Sequence, residues 1–201
     1  MSESDKYIIS IGRRIGSGGL RTAKMLSEQL GIQMFDKELL AEAAKECGLH
    51  PEIFEKRDEK SSWRLRSLFG MHESNPIVDE DMFKMQSDVM RRIASQQSCI
   101  FVGRCADYVL RDFPNMFSVF ITAPLDFRVG QIMHRLDLSE REARKFIEHS
   151  EKSRASYYNY YTFKTWGDSA SYDLCIDSLK AGSIENTVEI IRLAMTRAGI
   201  L

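Results

Sequence analysis

The sequence predicts a doubly wound α/β domain, with a five-stranded parallel sheet between two layers of helices. Three observations carry that expectation. Short apolar runs alternate with longer amphipathic ones, as they do when strands are joined by helical crossovers. Several of the short runs, such as Cys99–Val102 and Phe117–Ile121, are apolar at nearly every position, which suits strands covered on both faces. The first run also leads through a glycine-rich turn directly into a helical pattern.

Each element has its own local cause. Tyr7–Gly12 is the first strand, and the helix Leu20–Leu30 follows the glycine turn and closes at Gly31. Gln33–Phe35 makes a second short strand, followed by a helix over Lys37–Cys47 that closes at Gly48. The stretch 49–78 is polar and irregular, with Trp63, Arg64 and Arg66, and reads as an inserted flap. Asp79–Gln97 returns to a helical period with Met82, Met85, Val89 and Ile93 on one face. Ser98–Gly103 and Met116–Thr122 are the third and fourth strands. Pro124 opens the next helix where its missing N–H costs little, and Ser139 with Glu142 forms a capping box for the one after. Tyr172–Asp177 is the fifth strand, and the last helix, Ser183–Thr196, is expected to bury Ile184, Val188, Ile191 and Met195.

Composition narrows the function classes. A chain of 201 residues with 43% hydrophobic content supports one sizeable core, so residues 1–201 are expected to form a single domain. A net charge of -1 gives no global pull toward nucleic acid or an anionic membrane, so anion binding must come from local placement of charge. Cys47, Cys99, Cys105 and Cys175 show no paired spacing, and the four histidines show no ligand spacing, so neither disulfides nor a protein-held metal is expected. Cys99 and Cys175 lie in apolar runs and read as small buried hydrophobes. The N-terminal residues lack the basic and apolar regions of a leader, and no apolar run approaches about 18 residues. The expected location is the cytoplasm.

The glycine turn is the first candidate site. Gly12, Gly16, Gly18 and Gly19 with Ser17 lie between a strand and a helix, where backbone N–H groups and the positive helix end converge on one point. A tight turn with no ligand would use the same glycines, but the position at the carboxyl end of a strand favours phosphate. The phosphate-loop pattern asks for a lysine and a hydroxyl after its last glycine, and here Gly19 and Leu20 follow Gly18. Arg13 or Arg14, inside the turn, could replace that lysine with a guanidinium fork. Arg21 in the first helical turn is unfavourable against the dipole unless an anion is near. Arg104 after the third strand and Asp36 after the second should face the same crevice. Asp36 serves equally well as a cap for the Lys37 helix. The charge-rich stretch Arg135–Arg154 reads as a solvated helix, and the tyrosines after it, led by Tyr157, as packing for that helix or as a stacking surface for a base.

With these residues assembled, the chain resembles the cytidylate kinase-like family, relatives of the nucleoside monophosphate kinases. The likeness runs through the stretch Ile11–Gly19, Phe35–Leu40, Cys99–Leu110, Phe120–Pro124, Arg154–Tyr158, Trp166–Asp168 and Tyr172–Leu174. It implies a P-loop kinase fold with a monophosphate-binding insertion over 37–97 and a lid over 135–165. It also implies transfer of the ATP γ-phosphoryl group to CMP or dCMP with Mg2+. By resemblance, Arg104 holds the acceptor's phosphate, with Asp36, Lys37 and Asp107 at the acceptor site. Arg154 and Arg13 join Arg104 as catalytic residues, and Arg128, Arg135 and Tyr157 belong to the lid. The phosphate-binding set runs through Gly12, Arg13, Arg14, Gly16, Ser17, Gly18, Gly19, Leu20 and Arg21. Cys105 stands where the kinases carry the aspartate of a Gly-Arg-Asp motif. With the lysine and hydroxyl missing, Mg2+ would be held mainly by nucleotide and water. The competing expectation is a nucleotide-binding regulatory module without turnover. Small-molecule nucleotides are the expected partners, and the last helix is open to either core or oligomer use.

Overall fold

The computed structural model describes residues 6–46, Gly48 and 76–201. Cys47, the flap expected over 49–78 as far as residue 75, and His50 and His72 lie outside the described residues. Five parallel strands form one sheet in the order β2-β3-β1-β4-β5: β1 Ile8–Arg13, β2 Gln33–Phe35, β3 Cys99–Val102, β4 Met116–Thr122 and β5 Leu174–Asp177. The described helices are α1 Gly19–Leu30, α2 Lys37–Glu46, α3 Pro76–Gln96, α4 Ala106–Val109, α5 Leu125–Leu136, α6 Glu140–Thr162, α7 Ser178–Ala181 and α8 Ile184–Arg197. None of them is long and apolar enough to cross a membrane.

The period of two along β1 builds the layers. Ile8 faces a core with Phe35, Leu40, Met85, Val89 and Phe101, which α2, α3 and α4 cover. Ile9 and Ile11 face the other way, onto Ala23 and Leu26 of α1 and Val188, Ile191 and Met195 of α8. Burying apolar area on both faces stabilises the sheet by about 25 cal/mol per Å2 removed from water. A third cluster of Ile15, Val129, Ile132, Ala143 and Ile147 packs α5 and α6 against the glycine turn.

Local differences from the sequence expectation have local causes. Helix α3 begins at Pro76 rather than Asp79, because a proline in the first turn gives up no bonded N–H. Strand β5 begins at Leu174 rather than Tyr172: Tyr172 caps a short 3-10 turn over Ser169–Ser171, and the Ser118 amide donates to the Asp173 carboxylate at 2.8 Å instead of to a ladder carbonyl. Ile184 is half-buried, being the first residue of α8, where it packs beside Gly18. Cys175 is exposed, against the expectation of a buried position, because β5 is an edge strand. Cys99 is buried as expected, and Cys99, Cys105 and Cys175 are all free thiols. Ser139 and Glu142 form the capping box in full.

Candidate functional site

A cavity of about 390 Å3 opens at the carboxyl ends of β1, β2 and β3. Gly12, Arg13 and Leu20 line it from the glycine turn, Asp36 from the end of β2, and Arg104 and Asp107 from the end of β3. Arg135, Arg154 and Tyr157 line it from α5 and α6. Three parallel strands end at one edge, so residues as far apart in the chain as Gly12, Asp36 and Arg104 meet there.

The left-handed backbone shows what these turns require. Gly16 and Gly18 have φ of 79° and 80°, and a Cβ on Gly16 would stand 2.7 Å from the Arg128 carbonyl. After β3 three successive residues, Gly103, Arg104 and Cys105, take φ of 77°, 59° and 58°. For the two with side chains this costs on the order of 1 kcal/mol each. The turn brings Arg104 into the cavity with its guanidinium 5.4 Å from the Tyr157 ring centre.

The charges in the cavity are one-sided. Arg13, Arg104 and Arg154 all line it, and none is within ion-pair distance of a carboxylate among the described residues. Burial, then the Arg154 and Arg104 charges, hold Arg13 well below the ordinary arginine range, with Asp36 and Glu38 only partly offsetting them. Burial and the Arg104 charge push Arg154 down to about 10, and its Nη1 donates to the Arg13 carbonyl at 3.0 Å. Crowded, desolvated guanidiniums are relieved by an anion, and phosphate suits their fork geometry. Helix α1 adds to the same demand: Gly18 offers it no capping side chain and its first turn holds no acidic residue.

Asp36 fills both roles left open by the sequence. Its Oδ1 accepts from the amides of Glu38 and Leu39 at 3.1 Å, capping α2, while the residue lines the cavity. Lys37 is the first residue of α2. Asp107 is buried and accepts the Tyr158 hydroxyl at 2.6 Å, and burial raises its carboxyl above the usual range. Tyr158 stacks on Tyr172 at 6.3 Å, and both rings line the cavity floor with Ser10 and Gly12. Burial pushes the Tyr158 and Tyr172 hydroxyls up as well, so both stay protonated.

Other candidates sit outside the cavity. Arg14 pairs with Glu151 at 2.8 Å and lies 5.1 Å from the Trp166 ring centre. Arg128 is buried and donates to the carbonyls of Ala123 and Ile15 and to Glu151, which makes it a brace behind the turn. Ser17 is buried with its hydroxyl donating to the Arg14 and Ile121 carbonyls, and the Thr22 hydroxyl donates to Gly18. Gly16 and Gly18 pack on Arg128 and Ile184, and Gly19 lies under the Arg13 side chain. Arg21 is exposed on the side of α1 that faces Glu185. In the tyrosine run Tyr161 stacks on Phe83 of α3 at 4.0 Å, while Tyr157, which does line the cavity, meets the same ring edge-on at 6.3 Å.

Sequence reasoning missed Glu151, Tyr158 and Tyr172. Glu151 is one of several acidic residues on α6, and nothing local distinguishes it. The two tyrosines lie inside the matched stretches Arg154–Tyr158 and Tyr172–Leu174, and that membership is the signal that could have singled them out. No cluster of three or more His, Cys, Asp and Glu that could hold a metal occurs among the described residues. The hydroxyls of Ser17 and Thr22 near α1 donate to backbone carbonyls.

A model of the cytidylate kinase-like family matches residues 8–180. A cytidylate kinase from Methanosarcina acetivorans is 27% identical over 189 residues, covering 93% of this chain and 95% of its own. The solved structure of an uncharacterized protein from Eubacterium ventriosum superposes with a TM-score of 0.73 at 30% identity, over 95% of this chain and 99% of that one. A gluconokinase from Sinorhizobium meliloti shares the fold at a TM-score of 0.58 and 14% identity, with 96% and 93% covered.

Proposed function

The chain belongs to the cytidylate kinase-like family, and from that premise we propose that it transfers the γ-phosphoryl group of ATP to a nucleoside monophosphate, with CMP and dCMP as the first acceptors to try. The observation that carries this reading is the trio Arg13, Arg104 and Arg154, facing one cavity without a paired carboxylate among the described residues. Phosphoryl transfer asks the protein mainly to align donor and acceptor and to cancel charge on the transferring oxygens. Fixed guanidiniums in a partly dehydrated cleft do both.

In this reading Arg104 grips the acceptor's phosphate at the end of β3, while Asp36 and Asp107 face its nucleoside. Arg154 reaches the transferring group from α6, and the open start of α1 receives the donor phosphates. Residues 37–97 serve as the monophosphate-binding insertion and 135–165 as a lid within a single domain, with Arg135 and Tyr157 on the lid's inner side. The acceptor phosphate is already anionic at neutral pH, so no general base is needed. Magnesium would arrive mainly on nucleotide oxygens and water. Small nucleotides are then the partners, in the cytoplasm, with neither nucleic acid nor membrane involved.

The test is incubation with ATP, magnesium and a panel of monophosphates. Diphosphate formation above an Arg104→Ala control supports transfer and identifies the acceptor. Nucleotide binding without product from any acceptor favours a regulatory module instead. That second reading draws on Gly19 in the lysine's place and Leu20 in the hydroxyl's.

A further inference from the structure

Among the basic residues of the glycine turn and the first turn of α1, only Arg13 lines the cavity; Arg14 is held by Glu151 and Trp166, and Arg21 faces Glu185. The course of the Arg13 side chain is unusual. A Cβ placed on Gly19 would stand 2.5 Å from the Arg13 Cβ and 3.0 Å from its Cγ. A Cβ placed on Gly103 would collide with the Arg13 Nη1. The side chain therefore lies over Gly19, at the start of α1, and ends beside Gly103, at the end of β3. Gly19 takes an ordinary helical backbone with no positive φ, so its glycine is not required by conformation. Space is what it supplies.

Resting on the phosphotransferase reading, we propose that Gly19 is glycine so that Arg13 can lie across it, and that the Arg13 guanidinium, threaded between Gly19 and Gly103, is the cation that meets the donor's phosphates at this loop. The position that usually projects a lysine has become the bed of an arginine from six residues earlier in the chain. Two consequences separate this from a simple loss of the lysine. A lysine restored at position 19 should collide with Arg13 rather than help. With Arg13 replaced by glycine, which removes the Cβ as well as the Cγ, the same lysine should have both room and purpose.

ATP binding by titration calorimetry and monophosphate-dependent turnover are measured for the full chain and for Arg13→Ala, Arg13→Gly, Gly19→Ala, Gly19→Lys and the double variant Arg13→Gly/Gly19→Lys. Loss of a transition-state cation of this kind typically lowers rate by about 100- to 1000-fold, and Arg13→Ala should fall in that range with weakened ATP binding. Gly19→Ala and Gly19→Lys should each fall by at least about 10-fold although Arg13 is intact, and the double variant should recover at least about 10-fold over Arg13→Gly. An Arg13→Ala protein that binds ATP and turns over like wild type overturns the inference, as does a Gly19→Lys protein faster than wild type or a double variant no better than Arg13→Gly. If Gly19→Ala does not fold, Arg13→Ala and the double variant still decide. A wild-type chain that binds ATP while Arg13→Ala is unaffected sinks this inference alone. A wild-type chain that does not bind ATP at all sinks the phosphotransferase reading and this inference together.

Discussion

The Glu151 carboxylate on α6 accepts the Ile15 amide of the glycine turn at 3.1 Å, a contact between residues 136 positions apart in the chain. The same carboxylate takes Arg14 and Arg128 at 2.8 Å each, so one acidic side chain ties α5, α6 and the turn together. Any movement of α6 over the cavity is therefore coupled to the turn.

Glu151→Gln should reveal how much that knot stabilises. Gln keeps an acceptor for Ile15 but leaves Arg128, with a side chain only 7% exposed, facing a neutral partner. Stripping a buried ion of its counter-charge costs about 3–5 kcal/mol, and the retained hydrogen bonding should hold the loss near the lower figure. Arg14→Gln, at 35% side-chain exposure, should cost under about 1 kcal/mol. Urea unfolding of both variants checks the order, and equal losses would contradict it.

Arg104 illustrates strain kept for binding. With φ at 59°, Arg104→Gly should be more stable than Arg104→Ala by about 1 kcal/mol, since only glycine takes that backbone freely. Both variants should lose acceptor phosphate binding alike. Thermal unfolding beside phosphate titration reads the two effects separately. A glycine variant no more stable than the alanine one would remove the strain argument.

Asp107 predicts a pH dependence of stability. Burial raises its folded pKa above the unfolded value of about 3.9, so within that window the native state holds more proton than the unfolded chain. Its contribution to stability therefore falls as pH rises through the window. Asp107→Asn, whose carbonyl can still accept the Tyr158 hydroxyl, should gain on wild type from pH 4 toward pH 7 and differ little below pH 4. Denaturation midpoints at several pH values check this, and a gap that widens on acidification would refute it.

The crowded guanidiniums predict stabilisation by anions. Sulfate or phosphate should raise the melting temperature above that in chloride at equal ionic strength. At 100 times the dissociation constant the gain is about 2.7 kcal/mol, or roughly 5–10 °C for a chain of this size. Arg104→Ala should lose most of the shift, and an unchanged shift would mean the anion binds elsewhere.

The expected elements were close to those observed because their signals are local: apolar runs for β3 and β4, Gly31 after α1, Ser139 with Glu142 before α6. The meeting of Asp36, Arg104 and the glycine turn was also legible, since parallel strands with right-handed crossovers bring their carboxyl ends to one edge. What stayed hidden was the use of each arginine. Arg13 and Arg14 are adjacent and chemically identical, yet one lines the cavity and the other is tied to Glu151. Arg128, expected at the lid, is a buried brace behind the turn.

Pattern and composition were thus enough for the kind of fold and the edge where the candidate site lies, because periodicity, capping and glycine placement act over a few residues, while the family came from a resemblance carried by particular motifs. The assignment of Arg128 and Glu151 to bracing, of Asp107 to a tyrosine-bound carboxyl, and of Gly19 to a bed for Arg13 came from packing alone. Those roles depend on contacts such as Ile15 with Glu151, between groups far apart in sequence and free to meet only after the sheet and its helices have closed around the cleft.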